Sequence, residues 1–334
     1  IGAASADVTA DDLQALAANP DVESISLDAP VHATATPATS TTLATAPSLR
    51  ATLGLTPSAT GVGIGVAVID SGIAPLRQFG RRLRAFYDFT SGAAVATLPV
   101  DPYGHGTHVA GLIGGNDGAY MGVAPLVSLI GLRVLDSTGA GRTSDVIAAL
   151  DFAVANRARF NLRVINLSLG HPILAPAADD PLVQAVEAAV RAGLIVVVSA
   201  GNIGLNPVTG QVGYAGITSP GNAPSALTVG ASDTAQTLTR TDDTVAPFSS
   251  RGPSWYDGFV KPDVVAPGVP SVRTLVTSTD RGPSAWIIPT ARLSSSSVAQ
   301  SLPVSSFSSN RFGVAISAAG SARSLISSGI PART

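Results

Sequence analysis

From Gly61 onward the chain alternates short apolar runs with stretches of helical periodicity, and no other feature restricts its folding options as much. The apolar runs are GVAVID (65–70), VSLIGLRVL (127–135), VINLSL (164–169), LIVVVSA (194–200) and ALTVGAS (226–232). Each has the length of a strand and is apolar on both alternating sets of positions, the pattern of a strand buried on both faces. Between them, TSDVIAALDFAVAN (143–156) and DPLVQAVEAAVRAG (180–193) carry apolar residues at helical spacing, with Thr143 or Ser144 and Asp180 as the predicted N-caps. The order predicts an α/β fold: a doubly wound parallel sheet with helices on both faces. Ligands of such sheets bind beyond the carboxyl ends of the strands.

Composition narrows the function. The 334 residues, 45% hydrophobic, suffice for one large domain and a smaller unit. With 13% charged residues and a net charge of −2, nothing draws the chain to nucleic acid or to an anionic membrane surface, so a small-molecule or peptide partner is expected. Cysteine is absent, which removes disulfides, thiolate chemistry and Cys-based zinc sites. Every apolar run is interrupted well short of the ~20 residues a membrane helix needs. Residue 1 is Ile, and any targeting signal is expected to have been removed or to lie outside this sequence.

Four segments are predicted. Residues 1–30 read as a partial α+β unit, with Thr9 capping a short helix, a stop near Asn19 and Pro20, and a strand placing Ile25 and Leu27 on one face. Residues 31–48, biased to Ala, Thr and Pro, read as an exposed linker. Residues 49–268 carry the strand-helix alternation. Residues 269–334 are Ser-rich, contain Asp280 as their one acidic residue, and are assigned no structure.

Candidate chemistry lies at three strand ends. Asp70 closes an apolar strand, where a carboxylate is costly unless paired; it reads either as a helix N-cap or as a buried acid that orients a histidine. GHGTHVAG (104–111) sets His105 and His108 three residues apart at a glycine turn into a helix. A zinc pair would want an acidic residue between them as in H-E-x-x-H, whereas Gly106 and Thr107 stand there; a base with a structural neighbour and two ordinary helix residues remain. The glycines of GVGIGV (61–66) precede a strand, the wrong order for a dinucleotide fingerprint. Asn202 follows the small residues Ala200 and Gly201, which allow close backbone approach; it is either a turn residue or an amide donor suited to an oxyanion hole.

VAVIDSGI, GHGTHVAG, VINLSLG, SAGN and KPDVVAPG occur in the order and rough spacing of the subtilisin-like serine proteases, which this sequence resembles over about residues 49–268. The resemblance implies that Asp70 is the acid of a catalytic triad, His105 its general base, Asn202 the oxyanion donor, and His108 structural. It implies a polypeptide substrate bound as an added strand between two edges, Gly139, Ala140 and Gly141 on one side and Ser168, Leu169 and Gly170 on the other. By the same likeness residues 1–30 match the second half of an inhibitory propeptide, so the chain's own propeptide is a partner and the mature enzyme begins between Val31 and Arg50. A secreted or extracytoplasmic monomer is expected, with no catalytic cofactor. Structural calcium is common in the family, yet GGNDGAYMGVAP (114–125) has no obvious acidic cage and the metal stays unassigned.

The resemblance is incomplete. The family's nucleophile lies in a Gly-Thr-Ser-Met-Ala motif opening a buried helix, and this sequence has no such motif; its one methionine is Met121. Ser317 and Ser321, beside small residues, are the remaining candidates, and neither precedes a clear core helix. Three explanations compete: a C-terminus truncated or read in a shifted frame, a peptide-binding pseudoprotease, and a protease with an atypical serine. The change in composition after Gly268 favours the first.

Overall fold

A computed structural model describes residues 3–34, 38–39, 49–117, 120–235, 237–269, 286–287 and 312–318. The chain opens with strand β1 (Ala3–Val8), helix α1 (Ala10–Ala17) and strands β2 (Val22–Leu27) and β3 (Pro30–Ala33). The main body contributes β4 (Gly65–Asp70), β5 (Leu83–Asp88), α2 (His105–Gly114), β6 (Ser128–Arg133), β7 (Ala140–Arg142), α3 (Thr143–Ala155), β8 (Leu162–Leu167), β9 (Leu169–Pro172), α4 (Pro181–Arg191), β10 (Ile195–Ser199), β11 (Thr218–Ser219), β12 (Leu227–Asp233) and β13 (Val264–Pro267). A last strand, β14, spans Phe312–Ala318.

The central sheet runs β12-β10-β8-β4-β6-β5, all parallel, with β13 parallel beside β12 and short antiparallel strands at both edges. The chain leaves β4 toward β5 and β6, then crosses to β8 on the other side, so β4 is the switch point where such sheets bind ligands. Alternation along β4 explains its continuous apolar sequence. Ala67 and Ile69 enter the core shared with α3 and α4, while Val66 and Val68 enter the core under α2. Each fully buried Val or Ile side chain contributes about 1.5–3 kcal/mol, so both faces hold the strand in register.

Helix α4 starts where its sequence predicts. The Asp180 carboxylate accepts from the amides of Leu182 (2.9 Å) and Val183 (3.3 Å). Helix α3 does not follow the prediction: its N-cap position is Arg142, without a side-chain cap. The Asp28 carboxylate of the N-terminal unit substitutes, accepting from the Ser144 amide and hydroxyl, both at 2.9 Å. Thr143 donates its amide and hydroxyl to the Ala29 carbonyl. A remote carboxylate thus meets the positive helix end, a solution local sequence cannot reveal.

The N-terminal unit follows the sequence reading as far as Leu27. Thr9 and Asp12 form a reciprocal capping box, and α1 ends at Ala17. Leu27, expected on the same face as Ile25, is 56% exposed. The unit's sheet has the order β1-β14-β2, with β14 antiparallel to both neighbours. The Ser-rich tail is therefore not without structure throughout: 312–318 forms a middle strand because the edges of β1 and β2 each leave a ladder of donors and acceptors to fill.

Residues 31–33 correct the linker reading. Val31 is fully buried, and β3 lies antiparallel between β7 and β9 in a four-stranded sheet β7-β3-β9-β11. Ala38–Thr39 pairs with Trp286–Ile287. Residues 35–37 and 40–48 of the expected linker, and Ser321, lie outside the described residues.

Candidate active site

Asp70 ends β4 at the switch point and is fully buried. Its Oδ1 accepts from the Ser71 amide at 2.7 Å and lies 2.7 Å from Nδ1 of His105, the first residue of α2. Two glycines permit this approach. A Cβ on Gly106 would stand 2.2 Å from the Gly72 carbonyl oxygen, and one on Gly72, whose φ is +123°, would stand 2.0 Å from the Val100 carbonyl oxygen. Helix α2 can therefore rest its first turn directly on the backbone that follows β4.

The start of α2 is held by Asp101, which the sequence reading did not single out. Its Oδ1 accepts from the Ser71 hydroxyl (2.8 Å) and the Gly104 amide (2.7 Å), and its Oδ2 from the Thr107 amide (2.7 Å) and hydroxyl (2.5 Å). An Asp-Pro pair just before a glycine turn into a helix was the available signal.

Electrostatics separate the two histidines. Burial pulls the His105 pKa down, but the charge and hydrogen bond of Asp70, with Asp101 behind it, leave it above the ordinary histidine value. Burial, with the charge of His105, lowers His108 to about 4, so His108 is neutral at physiological pH. Nδ1 of His105 is engaged by Asp70, so proton transfer to or from a reactant falls to Nε2.

Asn202 lies three residues beyond β10, on an exposed loop. Leu167 of β8 is level with Ile69 of β4 and with Val198 of β10, so Asp70 and Ser199 occupy the same row. By strand spacing they are roughly 10 Å apart. Gly201 has φ +104°, and a Cβ there would fall 2.9 Å from Ser250 Oγ. The small residues before Asn202 do admit another backbone: the Thr218 amide of β11 donates to the Ala200 carbonyl at 3.1 Å and the Ser250 amide to the Gly201 carbonyl at 3.0 Å.

The two expected edges face each other across β3. Ala140 is opposite His32 and Gly141 opposite Val31; Leu169 is opposite Ala33 and Gly170 opposite His32. The Ala33 amide donates to the Gly139 carbonyl at 3.0 Å, and the Thr34 amide to the Ser168 carbonyl at 3.0 Å. All six predicted edge residues thus border a groove occupied by the chain's own strand. A Cβ on Gly139 would strike the Tyr103 ring, whose centroid is 6.4 Å from that of His105, so this edge reaches the neighbourhood of the Asp70–His105 pair.

Ser317 stands in β14, its backbone paired with Ala3 and Ser24 in the N-terminal sheet, apart from the sheet that carries Asp70. Among the described residues there is no group of three or more His, Asp or Glu side chains that could hold a metal ion. No helix among them is long and apolar enough to cross a membrane.

Sheet order, switch point and packing define an α/β protein of subtilisin-like fold. The profile of the Subtilase family, Peptidase_S8, matches residues 61–313, and the chain belongs to that family. It is 40% identical over 223 residues to serine protease AprX of Bacillus subtilis (strain 168), covering 63% of this chain and 47% of AprX. It is 36% identical over 222 residues to subtilisin E of the same organism, covering 65% of this chain and 49% of subtilisin E. The chain spans about half the length of these curated relatives. A crystal structure of a cold-adapted subtilisin-like serine proteinase aligns with a TM-score of 0.50 and 32% identity, over 69% of this chain and 68% of the other.

Proposed function

We propose that this site is that of a serine endopeptidase acting on polypeptides bound as a strand in the groove between Gly139–Gly141 and Ser168–Gly170. The observation that carries the reading is the 2.7 Å contact of His105 Nδ1 with buried Asp70 at the switch point of the sheet. A serine hydroxyl is a weak nucleophile at neutral pH, so His105 takes its proton through Nε2 and later delivers it to the leaving amine. Asp70 fixes the tautomer and stabilises the imidazolium. Asn202 donates its amide to the oxyanion of the tetrahedral intermediate. No serine among the described residues is assigned as the nucleophile.

Strand β3 supports the substrate class: an extended segment of this chain lies between the two edges by backbone pairing, the mode a polypeptide substrate would use. In this reading residues 1–34 are the chain's own propeptide bound as an inhibitor, and the chain is cut after Thr34. Register is the reason: Thr34 pairs with Ser168, the residue after Leu167, which is level with Ile69. Export from the cytoplasm as a monomer, with no nucleic-acid or membrane partner, completes the proposal.

A second reading, a peptide-binding pseudoprotease, is favoured by one observation: the sequence contains no Gly-Thr-Ser-Met-Ala motif. A fluorophosphonate probe and a peptide substrate separate the two. Stoichiometric serine labelling that His105→Ala abolishes supports the endopeptidase. Peptide binding with neither labelling nor turnover supports the pseudoprotease.

A further inference from the structure

We propose that Asp101 is a second carboxylate of the site, a positioning residue that clamps the start of α2 to the end of β4 and so holds His105 against Asp70. The inference deepens the endopeptidase reading, on which it rests, by naming what keeps the pair in register.

Asp70 and His105 come from separate elements 35 residues apart, and their single direct hydrogen bond depends on how α2 docks. The capping position of α2, Gly104, has no side chain to fix the first turn. Asp101 replaces that cap from three residues upstream, taking the Gly104 and Thr107 amides, which point along the positive end of the helix. The same carboxylate takes the Ser71 hydroxyl, and Ser71 adjoins Asp70. Ser71 Oγ in turn accepts from the Gly106 amide at 3.0 Å, and Thr107 Oγ1 accepts from the Ala74 amide at 2.9 Å. Together the links tie the backbone after β4 to the first turn of α2, two of them directly and the others through Asp101. Burial raises the Asp101 pKa, and the hydrogen bonds from Thr107 and Gly104 work against that rise. In its ionised form the clamp also places a negative charge behind His105.

The titratable groups around His105 are Asp70 from β4, Asp101 and Tyr103 from the preceding turn, and His108 from its own helix. The test is ring-nitrogen and imidazole-proton NMR of the full chain, which needs no turnover. Its outcome is therefore independent of whether the endopeptidase reading stands. In Asp101→Asn the His105 titration midpoint is expected to move to lower pH, and the Nδ1 proton shared with Asp70 to exchange faster with solvent. Ser71→Ala retains the Asp101 charge, its three contacts with α2 and the Ala74–Thr107 bond, but removes the two links that run through the Ser71 hydroxyl beside Asp70. It is expected to speed that exchange while leaving the midpoint raised. A folded Asp101→Asn protein with the wild-type midpoint and exchange rate would overturn the proposal. Should Asp101→Asn fail to fold, Ser71→Ala decides alone: faster exchange supports the clamp, and unchanged exchange sinks it.

Discussion

Thr34 gives both of its donors to one acceptor: its amide (3.0 Å) and its hydroxyl (2.9 Å) reach the carbonyl oxygen of Ser168, 134 residues later in the chain. This contact carries the backbone pairing of β3 one residue beyond Ala33.

The first prediction follows from that register. Any self-processed form of this chain should begin at Ala35, as read by intact mass or N-terminal sequencing. A product beginning elsewhere in 31–50 would mean that the strand slides before cleavage. Val31→Asp, which puts a charge at a fully buried position, should expel β3 and expose residues 28–34 to an added protease.

The two histidines should shape stability against pH in opposite ways. His105, raised in the folded state, contributes stability that is complete below its unfolded value and is lost as pH rises through its folded one. His108 stays neutral down to about pH 4 when folded, whereas the unfolded chain takes up a proton near pH 6.5. Between these values it should cost on the order of 3 kcal/mol as pH falls. Urea melts from pH 7 to 4 should show a shallower decline for His108→Gln than for the wild type; parallel curves would refute the assignment.

Gly106→Ala should disrupt the site more than its one added methyl suggests. The new Cβ meets the Gly72 carbonyl oxygen, a backbone atom that cannot rotate away. Overpacking of this kind costs about 1–3 kcal/mol, and relief requires α2 to lift from β4. The expected readout is a lower denaturation midpoint together with loss of the His105–Asp70 proton signal.

Lys261 is buried, and its ammonium donates to the Ala226 carbonyl (2.9 Å) and to Asp263 (2.8 Å). Lys261→Met should destabilise the fold by about 1–3 kcal/mol, because the Ala226 carbonyl loses its charged donor. A double-mutant cycle with Asp263→Asn measures the coupling, and additive losses would show that the pair acts as two independent contacts.

Much of the main body was legible in the sequence, because its signals are local. The run 65–70 alternates between two cores and forms β4 over the same residues, Asp180 caps the helix it precedes, and Thr9 caps α1. That Asp70 and His105 would meet was legible too, from residue type and from the family motifs that contain them, whereas Asn202 lies on an exposed loop and its oxyanion role remains a proposal. Tertiary structure alone decided the rest. Asp28 caps α3 across 116 residues, and Asp101 becomes a hub because glycines at 72 and 106 let two backbones meet. The four residues of β3 are a strand only because β7 and β9 leave unpaired backbone on either side of them. Hydrophobic periodicity and capping act within a few residues and leave a trace in the sequence. A hydrogen bond between distant segments leaves none, because its partner is set by the docking of whole elements.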